Sequence, residues 1–155
     1  MIDCHLSDAP RPSAVFVYGT LQRGECRETC WPHPPVAIQR AATRGRLYDL
    51  GPYPAMIAGE DTIGGELWRL APEHVAHSLE VLDAVEDAAT EAAGSGIGLY
   101  VRRVVACRVI GSEDIVPAFA YFYAQPRAID GMPRVEPDED GICRWPLARE
   151  TLTRG

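Results

Sequence analysis

The chain has 155 residues and a formal net charge of −7, with 46% hydrophobic and 24% charged residues. This length and composition predict one globular domain with a substantial core. The acidic balance, without a basic cluster, argues against a nucleic-acid partner. The sequence has no apolar run of membrane-span or signal-peptide length, so we expect no membrane partner and a cytoplasmic location.

Lysine is absent, and all 15 basic residues other than histidine are arginine. This excludes a Schiff-base lysine and a phosphate-loop lysine. The five cysteines are odd in number and scattered, so free thiols are expected. They are Cys4, Cys26, Cys30, Cys107 and Cys143. A zinc site at Cys26, Cys30 and His33 is an alternative, but the spacing is unusual and no fourth ligand is obvious nearby.

The chain is predicted to begin with a flexible lead-in at residues 1–13, followed by the main domain at residues 14–126. Residues 127–155 are expected to form an extension that packs on the same domain. The first strand of this domain is an apolar run from Ala14 that stops at Gly19. Glycine at this point permits a close backbone approach or a positive φ. Exposed amides in such a turn suit a carboxylate, although many strands end in a glycine turn that binds nothing.

The next segments have the pattern of strands and one helix. One or two strands are predicted within residues 36–50 and another at residues 64–70, where Glu66 shares a face with Trp68. A strand-edge ion pair is the simplest role for Glu66. A helix is predicted from Pro72 to about Asp87, because proline suits the first turn.

Glu86 falls in the middle of the apolar stripe of that helix. Advancing about 100° per residue from Val75, Leu79 and Leu82 lie on the same stripe, and Asp83 lies at its edge. Desolvation raises the pKa of a carboxylate that faces a core, which suits a general acid/base. The alternative is that the helix ends before Glu86 and the side chain reaches water.

Residues 88–98 are predicted to be a flexible loop, and two further strands are expected at residues 99–110 and 116–123. Tyr100 lies on one face of the first of these strands, together with Arg102. Several strands, one main helix and Gly/Pro turns predict an α+β domain, a small mixed β-barrel with a helix packed against it.

Six short motifs occur in an order that resembles the gamma-glutamylcyclotransferase-like family, of the gamma-glutamylamine cyclotransferase type. The first motif, at residues 16–24, reads Phe-Val-Tyr-Gly-Thr-Leu-Gln-Arg-Gly, and the fourth, at residues 82–86, reads Leu-Asp-Ala-Val-Glu. The others lie at residues 50–54, 65–68, 99–102 and 120–123. The resemblance implies an α+β fold, a small mixed β-barrel with one principal helix and short flanking helices.

The resemblance also implies a function. Tyr18, Gly19, Thr20 and Leu21 would bind the α-carboxylate of a γ-glutamyl substrate, Glu86 would be the catalytic acid/base, and Tyr100 would line the cavity. The implied reaction is cyclisation to 5-oxoproline with release of an amine, without a metal or cofactor. The expected partner is a small γ-glutamyl molecule, and the expected state is a monomer or homodimer. The alternative is a non-catalytic protein that binds a small carboxylate or γ-glutamyl metabolite.

Overall fold

The computed structural model describes residues 12–25, 28–51, 54–85, 100–124, 126–129 and 131–145. Within these ranges there are six strands and one α-helix. They are β1 (Ala14–Val17), β2 (Ala37–Asp49), β3 (Pro54–Arg69), α1 (Val75–Val85), β4 (Tyr100–Val109), β5 (Ile115–Tyr123) and β6 (Ile142–Cys143). Short 3-10 helices flank them at Glu28–Cys30, Pro72–His74 and Pro126–Ile129.

Five of the described strands close into a barrel. The order is β1-β5-β4-β2-β3, and β1 also pairs with β3, which completes the ring. The β1–β5 pair is parallel, whereas the other four pairs of the ring are antiparallel. The sixth strand, β6, adds in parallel to β3. This mixed barrel, with one main helix and short flanking helices, confirms the predicted fold class, whereas the predicted domain limits stay a prediction.

The third strand is longer than the sequence pattern predicts. A strand was expected at residues 64–70, yet β3 spans Pro54–Arg69 and pairs with β2 on both sides of a register shift between Gly45 and Arg46. Glycines weaken the local strand signal, but Gly59 allows the two backbones to approach closely, because a Cβ there would lie 3.0 Å from the Gly45 carbonyl. Cross-strand pairing therefore overrides the local pattern.

Strand alternation divides the buried side chains between two cores. Along β1, Phe16 points into the barrel, whereas Val15 and Val17 face outward. Leu79 and Leu82 of α1 pack against this outward face. The main residues of the barrel interior are Phe16, Leu47, Met56, Ile63, Leu67 and Phe122. The helix-facing core contains Val15, Val17, Trp68, Leu79, Leu82, Phe119 and Tyr121.

Cys107 lies fully buried in the barrel interior, and burial raises the pKa of its thiol to about 12. In the unfolded chain the thiol ionises near pH 9, while the folded thiol keeps its proton. We therefore expect this thiol to lower the free energy of unfolding progressively above pH 9, by about 1.4 kcal/mol at pH 10. Urea unfolding between pH 8 and pH 10 measures this slope.

The matched variants are Cys107→Ala and Cys107→Ser, since neither titrates, while serine keeps most of the thiol's volume. In both variants the free energy of unfolding should fall less between pH 8 and pH 10 than in the wild type, by the amount that Cys107 contributes. This expectation holds whatever the stability of the variants at pH 8. An unchanged slope in both variants would contradict the assignment.

Candidate active site

The turn that follows β1 is held against Pro54. The amide of Gln22 donates to the Gly19 carbonyl at 3.0 Å and closes the turn. A Cβ on Gly19 would lie 2.7 Å from the Pro54 ring, so only glycine fits. Gly19 is not among the glycines with positive φ. Of the two predicted reasons for a glycine here, the close approach applies.

Three successive amides of this turn, those of residues 19–21, have no hydrogen-bond partner among the described residues. The next two amides are used within the protein, because Arg23 donates to Glu66 Oε1 at 2.8 Å and Gly24 donates to Glu28 Oε1 at 3.0 Å. Among the described residues, no hydrogen bond uses the backbone amides of residues 19–21. Successive amides in a turn form a concave site for an anion. We call residues 18–21 the carboxylate turn.

Glu66 anchors the chain that follows the carboxylate turn. Its side chain is 14% exposed, and Oε1 accepts from both the Arg23 amide and Trp68 Nε1, the latter at 3.0 Å. The Arg23 guanidinium lies 3.7 Å from Oε2. This ion pair agrees with the simple role expected for Glu66 from its sequence. The contact with the Arg23 amide adds a role that the sequence did not reveal, since it fixes the loop backbone.

Trp31 also contacts the carboxylate turn, and the sequence did not predict this role. Its indole Nε1 donates to the Leu21 carbonyl at 3.1 Å. Its ring stacks on Trp68 with a centroid separation of 4.2 Å. The only signal in the sequence was a tryptophan within a Pro-rich irregular segment, where a large apolar ring has to find a packing partner.

Two buried tyrosines connect the turn to neighbouring strands. The Tyr18 hydroxyl donates to the Tyr121 carbonyl of β5 at 2.6 Å, and the Tyr100 hydroxyl donates to the Pro54 carbonyl at 2.8 Å. Pro54 therefore contacts both Gly19 and Tyr100. The structure thus brings Tyr100 close to the carboxylate turn, while its role in lining a substrate cavity stays a prediction.

A second carboxylate, Asp83 on α1, joins the helix to the barrel. Its oxygens accept from the Tyr121 hydroxyl at 2.6 Å and from the Arg102 guanidinium at 2.5 Å. Burial raises the pKa of Tyr121, and the bond to Asp83 raises it further. Burial acts to lower the pKa of Arg102, but Asp83 outweighs this and raises it. The sequence placed Asp83 at the edge of the helix stripe without showing these partners.

Glu86, the predicted acid/base, lies outside the described residues. The described part of α1 has the predicted phase, because Leu79 and Leu82 are buried while Glu80 and Ala84 are exposed. The predicted location of Glu86 on the same stripe rests on its sequence spacing from these leucines.

The alternative zinc site finds no support in the described residues. Cys26 lies outside them, and His33 Nε2 contacts His77 Nδ1 at 2.9 Å while its ring stacks on His74. Within the described ranges, no group of three or more His, Cys, Asp or Glu residues has the geometry to hold a metal ion.

A cleft of about 810 Å³ lies apart from the carboxylate turn. Its walls are formed by part of α1, by Arg102 and by the chain before β1. The α1 residues include Val75, His77, Leu79, Glu80 and Asp83. None of residues 18–21 lines it. This cleft is a second candidate binding place for a small molecule, and a binding test of the carboxylate turn has to distinguish the two.

The fold and the turn define the class of this protein. It is a small mixed β-barrel whose first strand leads into a glycine turn, and the amides of residues 19–21 have no partner among the described residues. Residues 15–142 match the model of the family described as gamma-glutamyl cyclotransferase, AIG2-like. The chain belongs to this family, which confirms the resemblance seen in its motifs. None of the helices in the described ranges has the length and apolar composition to span a bilayer.

Two curated relatives share parts of the sequence. A Vibrio cholerae protein, provisionally named a gamma-glutamylcyclotransferase, is 39% identical over 72 residues, 46% of this chain and 62% of that protein. The gamma-glutamylaminecyclotransferase of Bos taurus is 46% identical over 57 residues, 34% of this chain and 30% of that protein. The chain therefore spans less than two thirds of the length of either relative.

Solved structures share the fold. The crystal structure of an AIG2-like protein from Mus musculus has a TM-score of 0.61 and 23% identity, covering 88% of this chain and 97% of that one. The solution structure of an Arabidopsis thaliana protein has a TM-score of 0.59 and 17% identity, covering 94% and 76%. At this identity the likeness concerns the fold alone.

The two hydrogen bonds to Glu66 predict a specific loss of stability. Glu66→Ala leaves the Arg23 amide and Trp68 Nε1 without their acceptor, so we expect the free energy of unfolding to fall by about 1–3 kcal/mol. Glu66→Gln keeps an Oε1 acceptor and is expected to lose less. Denaturant unfolding followed by tryptophan fluorescence measures both.

The control is Glu60→Ala. Glu60 lies on β3, like Glu66, and its highly exposed ion pair is with Arg44 of β2. The expected cost of this variant is about 0–1 kcal/mol. Equal losses for Glu60→Ala and Glu66→Ala would show that Glu66 does not anchor the loop.

Proposed function

We propose that this protein is a cyclotransferase that converts a γ-glutamyl amine or γ-glutamyl peptide into 5-oxoproline and a free amine. The observation that carries the proposal is the carboxylate turn, whose amides at residues 19–21 have no partner among the described residues, in a chain of the gamma-glutamyl cyclotransferase, AIG2-like family. The names of the Vibrio and bovine relatives support this class of substrate.

The proposed role of Gly19, Thr20 and Leu21 is to bind the substrate's α-carboxylate through their backbone amides. Three residues contact the surrounding backbone: Pro54 at Gly19, Glu66 at the Arg23 amide and Trp31 at the Leu21 carbonyl. Donors fixed in this way need no reorganisation when the anion arrives, which favours binding and orientation. With the carboxylate held, the flexible γ-glutamyl chain can fold back so that its α-amine reaches its γ-carbonyl.

The proposed chemistry requires one acid/base and no protein nucleophile. The neutral α-amine attacks the γ-carbonyl carbon, a ring C–N bond forms, and Glu86 accepts the proton from the attacking nitrogen. Collapse of the tetrahedral intermediate breaks the C–N bond to the leaving amine, and Glu86 returns the proton to that nitrogen. Because both reacting groups belong to one molecule, proximity already supplies part of the acceleration. Tyr100 is proposed to line the cavity beside the turn.

We expect Glu86→Gln to reduce turnover strongly. Glutamine has a similar shape but cannot exchange the proton, so 5-oxoproline release should fall by at least about a hundredfold. The measurement is 5-oxoproline release from a panel of γ-glutamyl dipeptides and γ-glutamyl amines. Glu80→Gln, on the exposed face of α1, is the matched control and should retain wild-type activity.

Three outcomes would contradict parts of this account. Release that survives Glu86→Gln would keep the reaction but reject Glu86 as the acid/base. An equal loss in Glu80→Gln would indicate damage to the helix. No release from any substrate by the wild type would reject the enzyme and favour the non-catalytic binding protein for a small carboxylate.

A further inference from the structure

The contacts of Asp83 are more buried than those of an ordinary surface ion pair, and they involve two separate partners. The side chains of Asp83 and Arg102 are 25% and 28% exposed, and Tyr121 is buried. Each oxygen of Asp83 faces a different donor, one on β4 and one on β5. Short, charge-assisted hydrogen bonds in a partly buried place define a geometry that exposed pairs do not.

The two donors are themselves held in place. The Arg102 guanidinium lies over the Phe119 ring, 5.3 Å from its centroid. Tyr121 packs in the helix-facing core, and its backbone pairs with Arg102 across the β4–β5 ladder. The carboxylate of Asp83 therefore meets donors whose positions the barrel has already fixed. Because the barrel holds both donors in place, these bonds orient the helix α1 relative to the barrel.

Tyr121 also connects this contact to the carboxylate turn. Its side-chain hydroxyl donates to Asp83, whereas its backbone carbonyl accepts the Tyr18 hydroxyl at 2.6 Å. One residue of β5 thus binds the last turn of α1 and the first residue of the carboxylate turn. The position of the helix end relative to the turn depends on this residue.

We propose that Asp83 is a positioning residue for the cyclisation reaction. Through its bonds to Tyr121 and Arg102, Asp83 fixes the position of the end of α1 relative to the carboxylate turn. The inference rests on the proposed function, because that function requires the end of α1 to place the acid/base near the bound substrate. Glu66 and Asp83 then have separate tasks. Glu66 fixes the backbone next to the substrate-binding amides, and Asp83 fixes the helix against them.

The separation gives a kinetic test with Asp83→Asn. Asparagine is neutral and offers one acceptor oxygen where Asp83 uses two, so it cannot accept from both Arg102 and the Tyr121 hydroxyl on separate oxygens as Asp83 does. A displacement of about 1 Å can cost about a hundredfold in rate. We expect kcat for 5-oxoproline release to fall by about 10- to 100-fold, with KM changed less than about threefold. Glu66→Ala should instead raise KM.

A second measurement does not depend on activity. Amide hydrogen exchange in residues 80–85 and in the carboxylate turn should become at least about tenfold faster in Asp83→Asn, because the helix end loses its anchor. The control is Asp61→Asn, which alters the ion pair with Arg134, at 30% and 43% exposure. Asp61→Asn should leave both the exchange of these amides and kcat at wild-type values.

Tyr121→Phe tests whether the contacts act as one unit. Removal of the hydroxyl leaves the carbonyl that accepts from Tyr18, so this variant isolates the bond to Asp83. The effects of Tyr121→Phe and Asp83→Asn on kcat should be less than additive in the double variant.

Each result has a distinct meaning. Unchanged exchange in Asp83→Asn would overturn the anchoring role whether or not the protein is an enzyme. Faster exchange with an unchanged kcat, in an active wild type, would overturn the positioning role and leave a structural contact. An inactive wild type would reject the proposed function and, with it, the positioning role, even where exchange shows the anchor.

Discussion

The close approach of β1 and β3 at Gly65 is the constraint on which both the barrel and the carboxylate turn depend. A Cβ on Gly65 would lie 2.3 Å from the Val17 carbonyl and 3.1 Å from the Tyr18 Cα. Gly65 has no side chain, and this lets β1 come close enough to β3 to pair with it and close the barrel. The next residue, Glu66, pairs with Val17 in the ladder and reaches the Arg23 amide.

The site is built from backbone and supporting side chains more than from reactive groups. Glycines at positions 19 and 65 allow the close approaches, and Glu66 and Trp31 then fix the chain around the turn. This arrangement suits a reaction in which the substrate carries both the nucleophile and the electrophile, because the protein then has to bind, orient and move protons. Two carboxylates, Glu66 and Asp83, serve as acceptors that hold backbone and helix in place.

The sequence predicted the features that depend on local periodicity. The stripe of α1 with Leu79 and Leu82, and the opposite faces of Leu67 and Trp68, follow from helical and strand repeats. Gly19 was recognised as the end of the first strand, although its contact with Pro54 was not. Local pattern alone could not predict such contacts, because they join residues distant in sequence.

The contacts that sequence reasoning missed are long-range ones. Asp83 meets Tyr121, 38 positions away, and Trp31 stacks on Trp68. Which donor reaches which acceptor depends on how the strands close, which periodicity does not specify. The continuous β3 was missed for the same reason, since its pairing with β2 overrides the glycines within it.

The most direct test of this account is an NMR titration of the labelled protein with 5-oxoproline, the proposed product, which carries the carboxylate. The account predicts that the amide resonances of Gly19, Thr20 and Leu21 shift most, with saturation, and that Glu66→Ala weakens the binding. Shifts confined to the cleft beside His77 and Glu80, with the carboxylate turn unaffected, would contradict it.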